Sequence, residues 1–110
     1  MQETEYLIEY YQDDAGKVPF RDWLDGLRDV AVVARIRVRL NRVRLGNFGA
    51  VRALGDGVSE MKINHGPGYR LYYAMAGKTV VLLLVGGDKS TQRKDIVAAK
   101  RCWKDYLGGE

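Results

Sequence analysis

The sequence predicts a single-domain α+β protein with the element order β-α-α-β-β-β-β-α. Its 110 residues, of which 46% are hydrophobic, suffice for one hydrophobic core and are too few for two domains. No repeat, low-complexity tract or Pro/Ser-rich linker interrupts the chain, so we expect one continuous unit over residues 1–110. Strand-type segments open the chain and fill its second half, whereas helical spacing dominates between them and at the end.

The first strand and the first helix lie close to the N-terminus. Residues 6–11 are aromatic and β-branched, which predicts a strand that ends at the turn-forming residues 13–16. Pro19 suits the first turn of a helix. Four large apolar residues then follow at helical spacing: Phe20, Trp23, Leu24 and Leu27. This stripe predicts a helix that packs on the core through Trp23.

Residues 29–46 fit two kinds of secondary structure. Residues 35–40 alternate basic and apolar side chains like a strand, yet the apolar residues also fit one helical face. Length favours the helix, because no Gly or Pro stands between an N-cap at Asp29 and a terminating Gly46.

The predicted second helix carries five arginines on its exposed side: Arg35, Arg37, Arg39, Arg42 and Arg44. Three of them, Arg35, Arg39 and Arg42, are grouped by helical spacing. We interpret this group as a solvated or docking surface whose long side chains cover apolar groups.

The second half of the chain predicts four strands and a final helix. The strand candidates are residues 50–54, 58–65, 69–75 and 79–85. The last of these is an unbroken apolar run, which is typical of a strand buried on both faces. Ser90 or Thr91 would cap the final helix. The apolar stripe of that helix consists of Ile96, Ala99, Trp103, Tyr106 and Leu107.

The central hairpin separates polar from apolar side chains. A three-residue loop over 66–68 would pair Asn64 with Arg70 and Lys62 with Tyr72. One face then collects Met61, Ile63, Leu71 and Tyr73, and the other collects Glu60, Lys62, Asn64, Arg70 and Tyr72. A half-buried polar face suits an anionic ligand, with Tyr72 available to stack on a base. The alternative is an exposed face of cross-strand polar pairs.

The histidine and a second group of basic residues each allow two interpretations. His65 is the sole histidine, and in this register it falls on the apolar face, which favours a structural role over catalysis. Three cations crowd the start of the last helix: Lys89, Arg93 and Lys94. Cations oppose the helix dipole there, and a phosphate bound by the first-turn N–H groups and the Ser90 and Thr91 hydroxyls would offset this. A simple surface cap is the alternative.

Composition excludes several classes of protein. The single Cys102 rules out an intrachain disulfide, and no Cys/His spacing typical of a metal site is present. We therefore expect no metal and no cofactor. The N-terminus lacks the pattern of a secretory signal, which predicts a cytoplasmic protein. Residues 1–30 carry eight acids and three bases, whereas residues 31–110 carry six acids and fifteen bases. The basic part suits nucleic acid, or it is a solvated basic surface.

Several short motifs resemble a known family. They are Gly-Asp-Gly-Val-x-Glu at 55–60, Gly-Pro-Gly-Tyr-Arg-Leu-Tyr-Tyr at 66–73, Leu-Leu-Leu-x-Gly-Gly-Asp-Lys-Ser-Thr-Gln at 82–92 and Asp-Ile at 95–96. Together they resemble the RelE/ParE superfamily of toxins, in the HigB-like branch of addiction module killer proteins and phage-derived Gp49-like proteins. The resemblance covers nearly the whole chain.

The resemblance implies a RelE-like, or microbial-RNase-like, antiparallel sheet with the two N-terminal helices on one face. It also implies the toxin of a type II toxin–antitoxin system, a metal-independent endoribonuclease that cleaves mRNA on the ribosome and inhibits translation. The implied partners are the ribosome, mRNA and a helix-turn-helix antitoxin encoded next to the toxin.

The same resemblance assigns roles to basic residues of the site. The implied catalytic groups are Lys62, Arg70 and Lys89, with Arg93 and Lys94 as phosphate contacts. Tyr72 is predicted to bind RNA from its place on the polar sheet face. Arg70 would stabilise the phosphate, because a guanidinium can hold two phosphate oxygens. Lys62 or Glu60 would act as the base, and Lys89 as the acid or a second charge stabiliser.

Two other functions stay open on the sequence. A ParE-like gyrase-inhibiting toxin would bind a protein and cleave nothing itself. A non-catalytic RNA-binding protein would show steep salt dependence without strand scission.

Overall fold

A computed structural model describes residues 5–108, in which five strands and three α-helices follow the predicted order. Of the predicted unit 1–110, residues 1–4 and 109–110 lie outside the described part. The elements are β1 Leu7–Tyr10, α1 Pro19–Asp25, α2 Val30–Arg44, β2 Val51–Gly55, β3 Val58–Ile63, β4 Tyr69–Ala76, β5 Val80–Asp88 and α3 Gln92–Tyr106. A short 3-10 helix, Lys89–Thr91, joins β5 to α3.

The strands form one sheet in the order β1-β5-β4-β3-β2. Strands β2 to β5 are antiparallel neighbours, whereas β1 pairs with β5 in parallel, with Leu7 opposite Val80. The expectation of a wholly antiparallel sheet is therefore wrong at this edge. Helices α1 and α2 connect β1 to β2 at the far edge of the sheet. Strands β2 to β5 then form an antiparallel meander back across the sheet, and its last strand, β5, runs parallel to β1.

Helices cover both faces of the sheet and create two cores. Helices α1 and α2 contribute Phe20, Ile36, Leu40 and Val43 to the first core, where they meet Met61, Ile63, Leu71 and Tyr73 of the sheet. Helix α3 covers the other face with Ala99, over Tyr72, Leu82 and Leu84. This arrangement explains why β5 is buried on both sides.

The two N-terminal helices begin where the sequence indicates. Pro19 is the first residue of α1. The carboxylate of Asp29 accepts hydrogen bonds from the backbone N–H groups of Ala31 and Val32, so Asp29 is the N-cap of α2. Trp23 packs on the first core as predicted. Gly46 has a φ of 93° just after α2 ends, the conformation expected of a terminating glycine.

The central hairpin differs from prediction in register but not in face. Ile63 lies opposite Tyr69 and Lys62 opposite Arg70, so the loop comprises residues 64–68 and not the predicted 66–68. Within this loop, the N–H of Gly68 donates to the carbonyl of His65 at 3.0 Å. The register moves by two residues in total, and a shift of two leaves each side chain of the paired strands on its predicted face.

No helix in the described range is long and apolar enough to cross a bilayer. This finding leaves the cytoplasmic location as a prediction.

Candidate functional site

The mouth of the β3–β4 hairpin forms an open groove of about 380 Å³, which contains the three predicted catalytic cations Lys62, Arg70 and Lys89. The sheet explains this convergence. Lys62 lies directly across from Arg70 on β3 and β4, and Arg70 lies across from Gly87 on β5. Lys89 follows two residues after Gly87, so it reaches the same end of the sheet.

Arg70 has a fixed side chain. It is only 6% exposed, its Nη1 donates to the carbonyl oxygen of Gly68 at 2.9 Å, and its Nε lies 3.6 Å from Oε2 of Glu60. The expected half-buried face is more deeply buried at Arg70, because α3 packs over this side of the sheet. A guanidinium fixed in this way needs little reorganisation to bind an anion.

Glu60 is a partner of basic side chains and not an open carboxylate. It is 6% exposed, and its oxygens lie 3.4 Å from Nε of Arg52 and 3.6 Å from Nε of Arg70. Nε2 of Gln92 donates to Oε2 of Glu60 at 3.0 Å. The role of Glu60 as the base stays a prediction, but one hydrogen bond and two ion pairs already occupy its oxygens. The arrangement orients Arg70.

Tyr72 is the clearest correction among the predicted site residues. Its side chain is completely buried in the second core, beneath α3, so it cannot stack on a base. Burial, and then the charges of Glu60 and Asp95, raise the pKa of the Tyr72 hydroxyl. In the described part of the chain this hydroxyl has no hydrogen-bond partner.

Thr91, one of the two predicted residues, is the N-cap of α3, although its side chain forms no capping hydrogen bond there. Asp88 caps the short 3-10 helix that precedes α3. Its Oδ1 accepts hydrogen bonds from the backbone N–H of Ser90 at 2.8 Å and from the Ser90 hydroxyl at 2.6 Å. The Thr91 hydroxyl donates to Oδ2 of Asp95 at 2.5 Å. These internal contacts use the groups that the sequence assigns to a bound phosphate. Hydrogen bonds from Ser90 lower the pKa of the Asp88 carboxyl.

Arg93 and Lys94 do not join the hairpin groove. They line a separate groove of about 640 Å³ along α3, together with Arg101. The structure thus splits the predicted phosphate-binding set. Lys89 lies with Lys62 and Arg70, whereas Arg93 and Lys94 lie on another surface.

His65 belongs to the site, although the sequence assigns it to the apolar face. It lines the hairpin groove with Lys62, Arg70 and Lys89, and its Nε2 lies 3.1 Å from Oδ2 of Asp29. This contact is the main cause that lowers the pKa of the Asp29 carboxyl. The five-residue loop removes His65 from the strand and frees it for the groove. A lone histidine beside a Gly-Pro-Gly turn is the sequence signal that points to it.

The Gly86–Gly87 pair serves close packing. A Cβ at Gly86 would overlap the ring of Trp23, and a Cβ at Gly87 would overlap the carboxylate of Asp95. The two glycines therefore let α1 and α3 approach opposite faces of β5.

Among residues 5–108, no group of three or more His, Cys, Asp or Glu side chains could hold a metal ion. The expectation of metal-independent chemistry stays a prediction.

Comparison with known proteins finds one family model and one relative that each match most of the chain. The family model described as Phage derived protein Gp49-like (DUF891) matches residues 22–104. An uncharacterized protein of Haemophilus influenzae is 44% identical over 81 residues, which is 74% of this chain and 82% of that protein. The family match extends from α1 into α3 and includes every residue of the hairpin groove.

Proposed function

The chain belongs to the Gp49-like family of phage-derived proteins, and from this premise we propose that it is the toxin of a type II toxin–antitoxin pair. The proposal places it in the HigB-like branch of the RelE/ParE superfamily, as a metal-independent endoribonuclease that cleaves mRNA on the ribosome. Its partners would be the ribosome and a helix-turn-helix antitoxin encoded next to it, and it would act in the cytoplasm.

The observation that carries this proposal is the fixed guanidinium of Arg70 between two exposed lysines. Lys62 and Lys89 line the same groove, and Arg70 is held by Gly68 and Glu60. Three positive charges around one open groove suit a phosphodiester, whose negative charge increases in the transition state of cleavage. A preorganised guanidinium can hold two phosphate oxygens at once.

His65 is our choice for the general base. Imidazole is the side chain that titrates closest to neutral pH, and Asp29 orients this one through a 3.1 Å contact. In the proposed reaction His65 accepts the proton of the ribose 2′-OH, and the 2′-oxygen forms a bond to phosphorus. The bond from phosphorus to the 5′-oxygen breaks, and Lys89 or Lys62 supplies the proton of the leaving oxygen.

Mapping of mRNA ends on programmed ribosomes tests the proposal. Purified protein is added to ribosomes that carry a defined mRNA, and new 5′ ends are detected by primer extension. We expect the native protein to cleave the ribosome-bound message. The Arg101→Ala variant, which loses one surface charge, is the control and should cleave it as well. Growth arrest in cells without any new mRNA end would overturn the proposal.

A non-catalytic RNA-binding protein is the second candidate, and one observation favours it. Glu60 and Tyr72, two of the predicted functional side chains, are buried, which leaves the groove dominated by cations. In that case RNA binding would weaken steeply with salt, and no strand would be cut. The same mapping experiment separates the two functions.

A further inference from the structure

A third basic groove lies between α2 and the end of β3. It has a volume of about 380 Å³, and its charged lining consists of Arg35, Arg39, Arg42 and Lys62. The exposed side chain of Val38 lies between these cations. Lys62 also lines the hairpin groove. The two grooves therefore meet at Lys62 of β3 and at the neighbouring loop residue Asn64, which lines both.

Arg39 holds this groove in shape. Its guanidinium donates to three backbone carbonyls: Phe48 at 3.1 Å, Ala50 at 2.9 Å and Lys62 at 2.9 Å. Strand β2 begins at Val51, opposite Met61, so the carbonyl of Lys62 lies beyond the paired part of β2. The Arg39 guanidinium thus donates the hydrogen bond that a neighbouring strand would otherwise donate to the carbonyl of Lys62. In this way it links α2 to the edge of the sheet.

The charges of the groove are not compensated internally. In the range 5–108, none of Arg35, Arg39 and Arg42 forms an ion pair with a carboxylate. Burial is the main cause that lowers the pKa of the Arg39 guanidinium, and the like charge of Arg42 adds to it. Crowded cations of this kind are relieved by an external anion.

We propose that this groove binds the continuation of the RNA strand whose phosphate lies at Arg70, so that the RNA passes Lys62 at the edge of the sheet and runs along α2. The proposal rests on the proposed function, since it takes the substrate of that site to be RNA. Arg35 and Arg42 are two helical turns apart, about 10 Å along the helix axis. Each would therefore contact a different phosphate.

Charge complementarity and continuity favour RNA over a protein partner. The lining residues of the groove include no acid, and the groove runs into the hairpin groove through a shared lysine. A polyanion bound in one groove would therefore continue into the other without passing an acidic lining residue.

The test measures how salt affects binding of an uncleavable RNA. The probe is a fluorescent, fully 2′-O-methylated oligonucleotide of about 12 nucleotides, and the dissociation constant is measured by anisotropy over a series of salt concentrations. The variant Arg35→Gln/Arg42→Gln removes two groove cations and leaves Arg39 in place. The matched control is Arg37→Gln/Arg44→Gln, which removes two exposed arginines of the same helix that do not line the groove.

We expect the groove variant to reduce the slope of log affinity against log salt by about 1.4, since each phosphate contact with a single strand contributes about 0.7. The control variant should keep nearly the native slope. An equal change in both variants, an unchanged slope in the groove variant, or no RNA binding by the native protein would overturn the proposal.

The result is independent of cleavage. If ribosomes show no mRNA cleavage and the slope still falls only in the groove variant, the enzymatic function fails and the RNA groove stands. If cleavage is observed and the slopes do not differ, the enzymatic function stands and the RNA groove fails.

Discussion

Nε2 of Gln92 donates a hydrogen bond to Oε2 of Glu60 at 3.0 Å, and the same oxygen lies 3.6 Å from Nε of Arg70. Gln92 is the first residue of α3, whereas Glu60 and Arg70 belong to β3 and β4. The helix that covers this face of the sheet therefore also holds the carboxylate that orients the site arginine. Gln92 is a positioning residue, because it reaches Arg70 only through Glu60.

Replacement of Gln92 should reduce cleavage more than it reduces RNA binding. Gln92→Ala leaves Glu60 with one fewer donor, which we expect to lower the free energy of unfolding by about 1–2 kcal/mol and to lower kcat with little change in KM. Gln92→Glu places a second carboxylate beside Glu60, and its stability should improve as the pH falls and one of the pair is protonated. Urea denaturation at two pH values and single-turnover cleavage measure these effects. Gln12→Ala, at an exposed residue, is the control.

Arg70 has a structural role besides the proposed chemical one. Arg70→Met leaves the buried carboxylate of Glu60 beside a neutral side chain, which lowers the free energy of unfolding. We expect a loss of only about 2–3 kcal/mol, because Arg52 and Gln92 still face the carboxylate. The double variant Arg70→Met/Glu60→Gln removes both charges and should recover most of this stability without any cleavage. Full cleavage by the folded double variant would remove Arg70 from the site.

His65 should be required for cleavage even though it also contacts Asp29. His65→Gln can keep a donor to Asp29, so we expect a melting temperature close to that of the native protein and a cleavage rate lower by about 10²-fold or more. Added imidazole should partly restore the rate of His65→Ala, because the free base can enter the vacated groove. A native rate for His65→Gln would show that His65 serves only to link the hairpin loop to α2.

Gly86 should tolerate no side chain while Trp23 is present. A Cβ there would overlap the indole ring, and overpacking of this kind costs about 1–3 kcal/mol. We expect Gly86→Ala to lower the denaturation midpoint. The double variant Gly86→Ala/Trp23→Leu should lose less stability than the sum of the losses of the two single variants. Gly77→Ala is the comparison, because a Cβ there meets nothing within 4 Å and only its φ of 84° opposes the substitution.

Asp88 should make the fold sensitive to acid. Its carboxyl pKa is lowered from 3.8 by hydrogen bonds from Ser90, so its contribution to stability is complete above pH 3.8 and is lost as the pH falls through the lower value of the folded state. Asp88→Ala should therefore cost about 1 kcal/mol at neutral pH, and the difference from the native protein should vanish in strong acid. A difference that persists unchanged at low pH would contradict this account.

The sequence by itself determined the element order, the start of α1 at Pro19, the N-cap of α2 at Asp29, and the face on which each side chain of the paired hairpin strands lies. These properties follow from local patterns: the periods of helix and strand, and the side chains that can accept the first free N–H groups of a helix. The predicted faces remained correct despite a wrong register, since any shift by two residues preserves them.

Only the tertiary structure decided the state of the site residues. Helix α3 buries Tyr72 and Arg70 and supplies Gln92 to Glu60, and the length of the hairpin loop determines whether His65 lies in a strand or in the groove. The parallel pairing of β1 with β5 was decided in the same way. Each of these outcomes depends on how distant segments pack, and the local period of a sequence carries no information about that packing.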